Sequence, residues 1–260
     1  MPEEKDSFSL IDAASDLLGG LAAGVTVATI SHDISGLLGG SVGVGVAHTL
    51  RYGAKLFVNR FLAHREKARV GLVYGLAAVA IQERLEHGDT LRTDDFFDRD
   101  ITDRSKSDEI VEAILIAAQR ESQEKKLPYL ANLLAFIAFE SRIDVGMANY
   151  MIKTASSLTY RQYCLLEVAR NPHDKNLRPA SMARQQQQNA SQVFAALMEC
   201  YELYRLGLVK FQYQIGLVAK IEDMDVSSIT LNGLGPYLHL AMKLDTIPSE
   251  DIASTVALLR

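Results

Sequence analysis

LLGGLAAGVTVATISHDISGLLGGSVGVGVAHTL, residues 17–50, runs 34 residues with one formal charge, Asp33. Nine of the 17 glycines fall between positions 19 and 53, most of them inside this stretch. Ser31-His32-Asp33 separates two apolar halves of 14 and 17 residues, Leu17 to Ile30 and Ile34 to Leu50. A bilayer span takes about 20 apolar residues, so each half alone is short of one. Two helices turning at His32-Asp33 would form a hairpin able to insert part-way into a bilayer, or to span a thinned one as an oligomer. Gly20-x-x-x-Gly24, Gly36-x-x-x-Gly40 and Gly39-x-x-x-Gly43 each put two bare positions on one helical face, where backbones can approach closely. In water each such glycine costs a helix about 1 kcal/mol relative to alanine. Membrane insertion, a tightly packed pair buried in protein and a glycine-rich loop all remain open for this stretch.

Directly after it the charge changes sign. Arg51, Lys55, Arg60, Arg65, Lys67 and Arg69 fall within 19 residues against one acid, Glu66, with Tyr52, Phe57, Phe61 and Leu62 between them. On a helix this is a basic amphipathic segment suited to anionic lipid headgroups on the cytoplasmic side of a membrane. A solvated helix face is the plain alternative, and nucleic acid ranks third. The N-terminus, Met1-Pro-Glu-Glu-Lys-Asp6, lacks the basic start of a secretory signal, so the chain is expected to keep it.

The remaining 190 or so residues bound the classes of function. A chain of 260 residues that is 48% hydrophobic can build real cores, which excludes a disordered protein. Two cysteines, Cys164 and Cys200, exclude a disulfide scaffold and read as reduced thiols. A formal net charge of −5 argues against a general nucleic-acid coat. Helices are expected over 70–87, stopped by Gly88-Asp89; over 110–126, opened by Ser107-Asp-Glu; over the apolar run 129–139, too short to span and therefore a core helix; and over 145–156 and 159–170, the last with a Thr159-x-x-Gln162 capping box. Between the first two lies an acidic loop, 89–108.

That loop holds a literal Asp-Asp-x-x-Asp at Asp94, Asp95 and Asp98, a form that can bridge magnesium to a diphosphate. No second aspartate-rich motif accompanies it, and a solvated acidic linker is the favoured reading, with no metal site. The six histidines are scattered, with no two at ligand spacing and no Cys-x-x-Cys beside them. Gly43-x-Gly45 could begin a dinucleotide fingerprint, but His48 stands where the third glycine belongs. Cys164, in Tyr163-Cys-Leu-Leu166, reads as a buried inert thiol. A non-enzymatic protein without a cofactor is expected.

The last third reads differently. After Asn171-Pro172 a polar stretch to Asn189 includes four consecutive glutamines, Gln185 to Gln188. A helix is expected over 190–206, ending at Gly207, then a strand from Leu208, a second strand at Ile229-Thr-Leu231 and a closing helix to Leu244. This order resembles a winged-helix domain. The helix before the first strand carries Glu199 and Glu202 with only Arg205 as a base, so protein contact is favoured over DNA for it. The expected fold is mainly α, in three parts: a glycine-rich apolar hairpin with its basic segment over 1–69, a helical domain over 70–158 and a winged-helix-like domain over 159–260.

Leu-Ala-Asn-Leu-Leu-Ala at 130–135, Leu203-x-x-x-Gly207-Leu-Val209 and Ile229-Thr-Leu231-x-x-x-Gly235, following an apolar N-terminal segment, resemble the abortive-infection Abi-alpha type of bacterial phage-defence protein over about 108–242. The resemblance implies a non-enzymatic effector, held inactive until a sensor or inhibitory partner releases it. Such an effector would be cytoplasmic, would join the bacterial inner membrane on activation and would act as a homo-oligomer.

Overall fold

A computed structural model describes residues 63–179, 190–212, 221 and 224–260. The stretch over 17–50 expected to form an apolar hairpin and the polar stretch over 180–189 lie outside them. The described fold is mainly helical, with one two-stranded sheet, and its contacts divide the chain into two units between Ser157 and Leu158.

The first unit holds α1 (His64–Glu86), α2 (Lys106–Arg120), α3 (Leu127–Ile137) and α4 (Val145–Ser157). α1 packs against α3 and α2, and α2 packs against α4 and α3. Ala68, Gly71, Gly75, Ala77 and Ala78 are buried along α1, small residues that let its neighbours approach closely. The helix begins six residues before the expected Val70. The Glu66 carboxylate accepts from the Ala63 backbone N–H at 2.8 Å, satisfying one of the orphan donors at a helix start without a hydroxyl cap. It ends where the glycine predicts. Gly88 has φ +91°, and Asp89 and Gly88 donate back to the Arg84 and Leu85 carbonyls, a Schellman closure.

α2 also differs from expectation at both ends. Ser105, rather than Ser107, is the cap: its hydroxyl accepts from Asp108 N–H at 3.1 Å while the Asp108 carboxylate accepts from Ser105 N–H at 3.0 Å. The helix stops at Arg120, because Glu121 turns extended and its carboxylate takes the Gln123 N–H at 2.8 Å and the Lys126 ammonium. A 3-10 turn over Glu124–Lys126 leads into α3, with Pro128 in its first turn, where the missing N–H costs nothing. α3 is the core helix that its run of apolar residues predicts: Leu130, Ala131, Leu133 and Ile137 are fully enclosed. Asp144 opens α4 by accepting from Met147 N–H at 2.7 Å.

The second unit is arranged around α5 (Tyr160–Arg170), against which α6 (Ala190–Arg205), strand β2 (Thr230–Leu231), α7 (Gly235–Ala241) and α8 (Ser249–Ala257) pack. Tyr163, Leu165, Leu166 and Val168 of α5 are wholly buried. Thr159 and Gln162 make the reciprocal capping box, at 3.1 and 2.8 Å. α6 closes on Gly207 at φ +71°, with Leu208 and Gly207 donating to the Leu203 and Tyr204 carbonyls. Strand β1 (Val209–Lys210) then pairs antiparallel with β2, Val209 opposite Leu231 and Lys210 opposite Thr230. The chain after β2 comes so close to Leu208 that Asn232 N–H donates to its carbonyl at 2.8 Å. Helix α8 had no counterpart in the sequence reading, although Glu250 and Asp251 give it the acidic first turn that the helix dipole favours.

Candidate functional site

Gly20, Gly24, Gly36, Gly39, Gly40, Gly43, Arg51, Lys55 and Arg60 lie outside the described residues. So does Gly39-Gly40-Ser41-Val42-Gly43, which has the Gly-x-Ser-x-Gly spacing of a nucleophile elbow. The last three bases of the basic segment are described. Arg65 and Lys67 project from the first turns of α1 into solvent, and Arg69 is half-buried, its Nε enclosed without a hydrogen-bond partner among the described residues. Ala68 and Val70 point the other way and are buried. These turns are therefore continuous with a helix anchored in the first unit, its apolar side covered by protein and its two exposed cations outward. Glu66 between them also accepts from Gln119 at 3.3 Å; the Ala63 N–H, more than Gln119 or Arg69, holds its carboxyl below the usual range.

The acidic loop keeps Asp94, Asp95 and Asp98 exposed, as a solvated linker would, but is anchored to the fold by buried residues. Leu91, Arg92 and Phe96 are buried in it. The Arg92 guanidinium closes bidentately on Asp94 at 2.7 and 2.6 Å, donates to the Ile137 carbonyl and lies 4.1 Å above the Phe96 ring. That hydrogen-bonded pairing holds the Asp94 carboxyl below its ordinary value. Asp95 pairs instead with Lys106 at 2.6 Å. The first two carboxylates of Asp-Asp-x-x-Asp are thus turned to separate cations, and among the described residues no group of three or more histidines, cysteines or acids is set to hold a metal. Farther along, Arg142 closes bidentately on Glu140 at 2.8 and 2.7 Å and holds its carboxyl down at about 2.

A groove of about 520 Å³ runs between α2 and α4, with Ala113, Ile116, Ala117 and Ile152 as walls and Arg120 and Lys153 among its polar lining. Glu121 lines it too, and this residue forms, among the described residues of the first unit, the most enclosed ion pair, with Lys126, itself 2% exposed. Nothing in the sequence marks Lys126 as buried, since its local setting is that of a helix-end lysine.

In the second unit the two acids of α6 are engaged with α5. Glu199 accepts from Arg161 and from the Thr159 hydroxyl, and Glu202 accepts from Gln162 Nε2 at 2.9 Å. They are spoken for within the fold, so α6 cannot be read simply as an acidic surface. Its exposed positions include Phe194 and Arg205, and Leu206 follows directly after it. α7 exposes Tyr237 and Leu240, while its His239 is buried against Glu167. Cys164 is buried, as its apolar setting predicts, and Cys200 is too; burial, with Glu199 beside it, pushes the Cys200 thiol up to about 12. Comparison with family models, curated proteins and solved structures found no match.

Proposed function

We propose that this protein is a non-enzymatic effector of bacterial anti-phage defence that acts on the inner membrane through its glycine-rich N-terminal segment and is held inactive until triggered. The observation that carries this reading is the 34-residue run with a single charge, followed within 19 residues by six bases. Small residues at four-residue intervals supply the means of helix association in lipid, and the bases supply affinity for anionic headgroups. Among the described residues no helix is long and apolar enough to cross a membrane. The division of labour then gives residues 17–50 to the bilayer, and α1, which carries Arg65 and Lys67, joins that segment to a helical body. The sequence resemblance to abortive-infection proteins supports the defensive role. We read α5 to α7 with the β1–β2 pair as a winged-helix-like domain used to hold a sensor or inhibitory partner.

A second reading, an interaction or regulatory protein whose glycine-rich helices form an oligomer core, is favoured by the exposed Phe194, Leu206, Tyr237 and Leu240 of the second unit. Cell fractionation separates the two. On the effector reading the expressed chain sediments with membranes after activation, and deleting residues 1–50 releases it to the soluble fraction and abolishes its effect on growth. A full-length chain that stays soluble as a defined oligomer while still arresting growth would favour the second.

A further inference from the structure

Arg178 is a buried cation whose best hydrogen-bonding edge has no partner among the described residues. The chain leaves the 3-10 turn Pro172–Lys175 through Asn176 in the left-handed region, and Arg178 N–H then donates to the Leu259 carbonyl at 2.9 Å. Arg260 Nε in turn donates to the Lys175 carbonyl at 3.3 Å. These two bonds bring the backbone of 175–178 beside the segment that follows α8, and Arg178 makes no ion pair with a carboxylate among the described residues. Lys175 is half-buried, Arg260 is exposed and Arg178 is 6% exposed.

The Arg178 Nε and Nη2 atoms are enclosed without a hydrogen-bond partner among the described residues. In a guanidinium these two nitrogens form one flat edge, which matches the two oxygens of a carboxylate or phosphate. The same edge is closed on Asp94 in Arg92 and on Glu140 in Arg142. Burial draws the Arg178 pKa below its ordinary value, yet a guanidinium keeps its proton in proteins. The facing Cys200 stays a neutral thiol and supplies no compensating charge. A desolvated, unneutralised cation is a costly arrangement that an anion relieves.

We propose that the Arg178 guanidinium is the receptor for one oxyanion group, a phosphate or a carboxylate carried by a small molecule. The ligand would seat bidentately on Nε and Nη2, and because that edge is enclosed, its admission requires local opening around Arg178. This site is independent of the membrane reading.

Isothermal titration of the full chain with inorganic phosphate and, separately, with acetate, at constant ionic strength, tests it. Saturable binding of one equivalent is expected, and the two titrations show which oxyanion is preferred. Arg178→Lys, which keeps the charge and loses the edge, should bind about tenfold more weakly, and Arg178→Met should not bind. Thermal melts of each variant verify folding, and Arg178→Lys carries the test if Arg178→Met does not fold. Equal affinity in folded variants, or no saturable binding of either anion to the wild type, overturns the proposal. So does a site that takes only duplex DNA.

Discussion

Glu121→Ala is expected to cost the first unit about 3 to 5 kcal/mol, the range for removing one partner of a buried ion pair. Lys126 is 2% exposed, and its ammonium is shared between the Glu121 carboxylate and the Ser156 carbonyl at 3.0 Å. Without Glu121 that charge remains inside and loses the carboxylate paired with it. The pair also sets geometry: it turns the chain out of α2 at Glu121, leads it through the 3-10 turn into α3 and ties that turn to the end of α4. Removing both charges, as Glu121→Leu with Lys126→Met, should recover most of the loss, because no stranded charge is then left buried. Urea unfolding followed by circular dichroism checks both variants. A change in Glu121→Ala within about 0.5 kcal/mol, the scale of an ordinary surface substitution, would show that the pair contributes little.

Gly235→Ala is expected to destabilise the second unit by about 3 kcal/mol, the upper part of the range for overpacking. A Cβ at this position would stand 2.0 Å from the Leu208 carbonyl oxygen and 3.0 Å from its carbon. Both are backbone atoms, so no rotamer change relieves the clash; the turn after β2 must move away from Leu208, breaking the Asn232 hydrogen bond. Gly207→Ala is the natural control. Its φ of +71° penalises a side chain, but nothing lies within 4 Å of the added carbon, so its cost should be only the left-handed backbone term of about 1 to 2 kcal/mol. Thermal melts that rank Gly207→Ala as the more damaging would contradict the close approach described for Gly235.

The features that sequence reading captured are local ones. Gly88 and Gly207 end their helices because only a left-handed residue closes the last turn, Thr159 and Gln162 cap α5 within four residues, and α3 is apolar on nearly every side. The misreadings follow from interactions that cross the chain or invert a usual preference. α2 ends early because a side chain five residues farther on, Lys126, draws Glu121 out of the helix. Asp94, Asp95 and Asp98 of the acidic loop are exposed, as a solvated acidic stretch predicts, but Arg92 inside the same loop is buried over Phe96 and pairs with Asp94 at its surface. α1 starts early through a carboxylate three residues on, with alanine where a hydroxyl cap is usual. Buried cations such as Lys126 and Arg178 resemble surface lysines and arginines in every local respect, and only the packing around them sets them apart. Of the candidate membrane residues, Arg65, Lys67 and Arg69 alone fall on described structure, where they begin a helix whose apolar side is covered.

The central claim, that the glycine-rich segment acts on a bilayer, is tested most directly by dye release from anionic liposomes. Full-length protein under activating conditions should empty them, and Gly36→Leu/Gly40→Leu/Gly43→Leu, which keeps the segment apolar while filling its close-packing face, should release far less. Equal release by both proteins, or no release by either, would contradict the account.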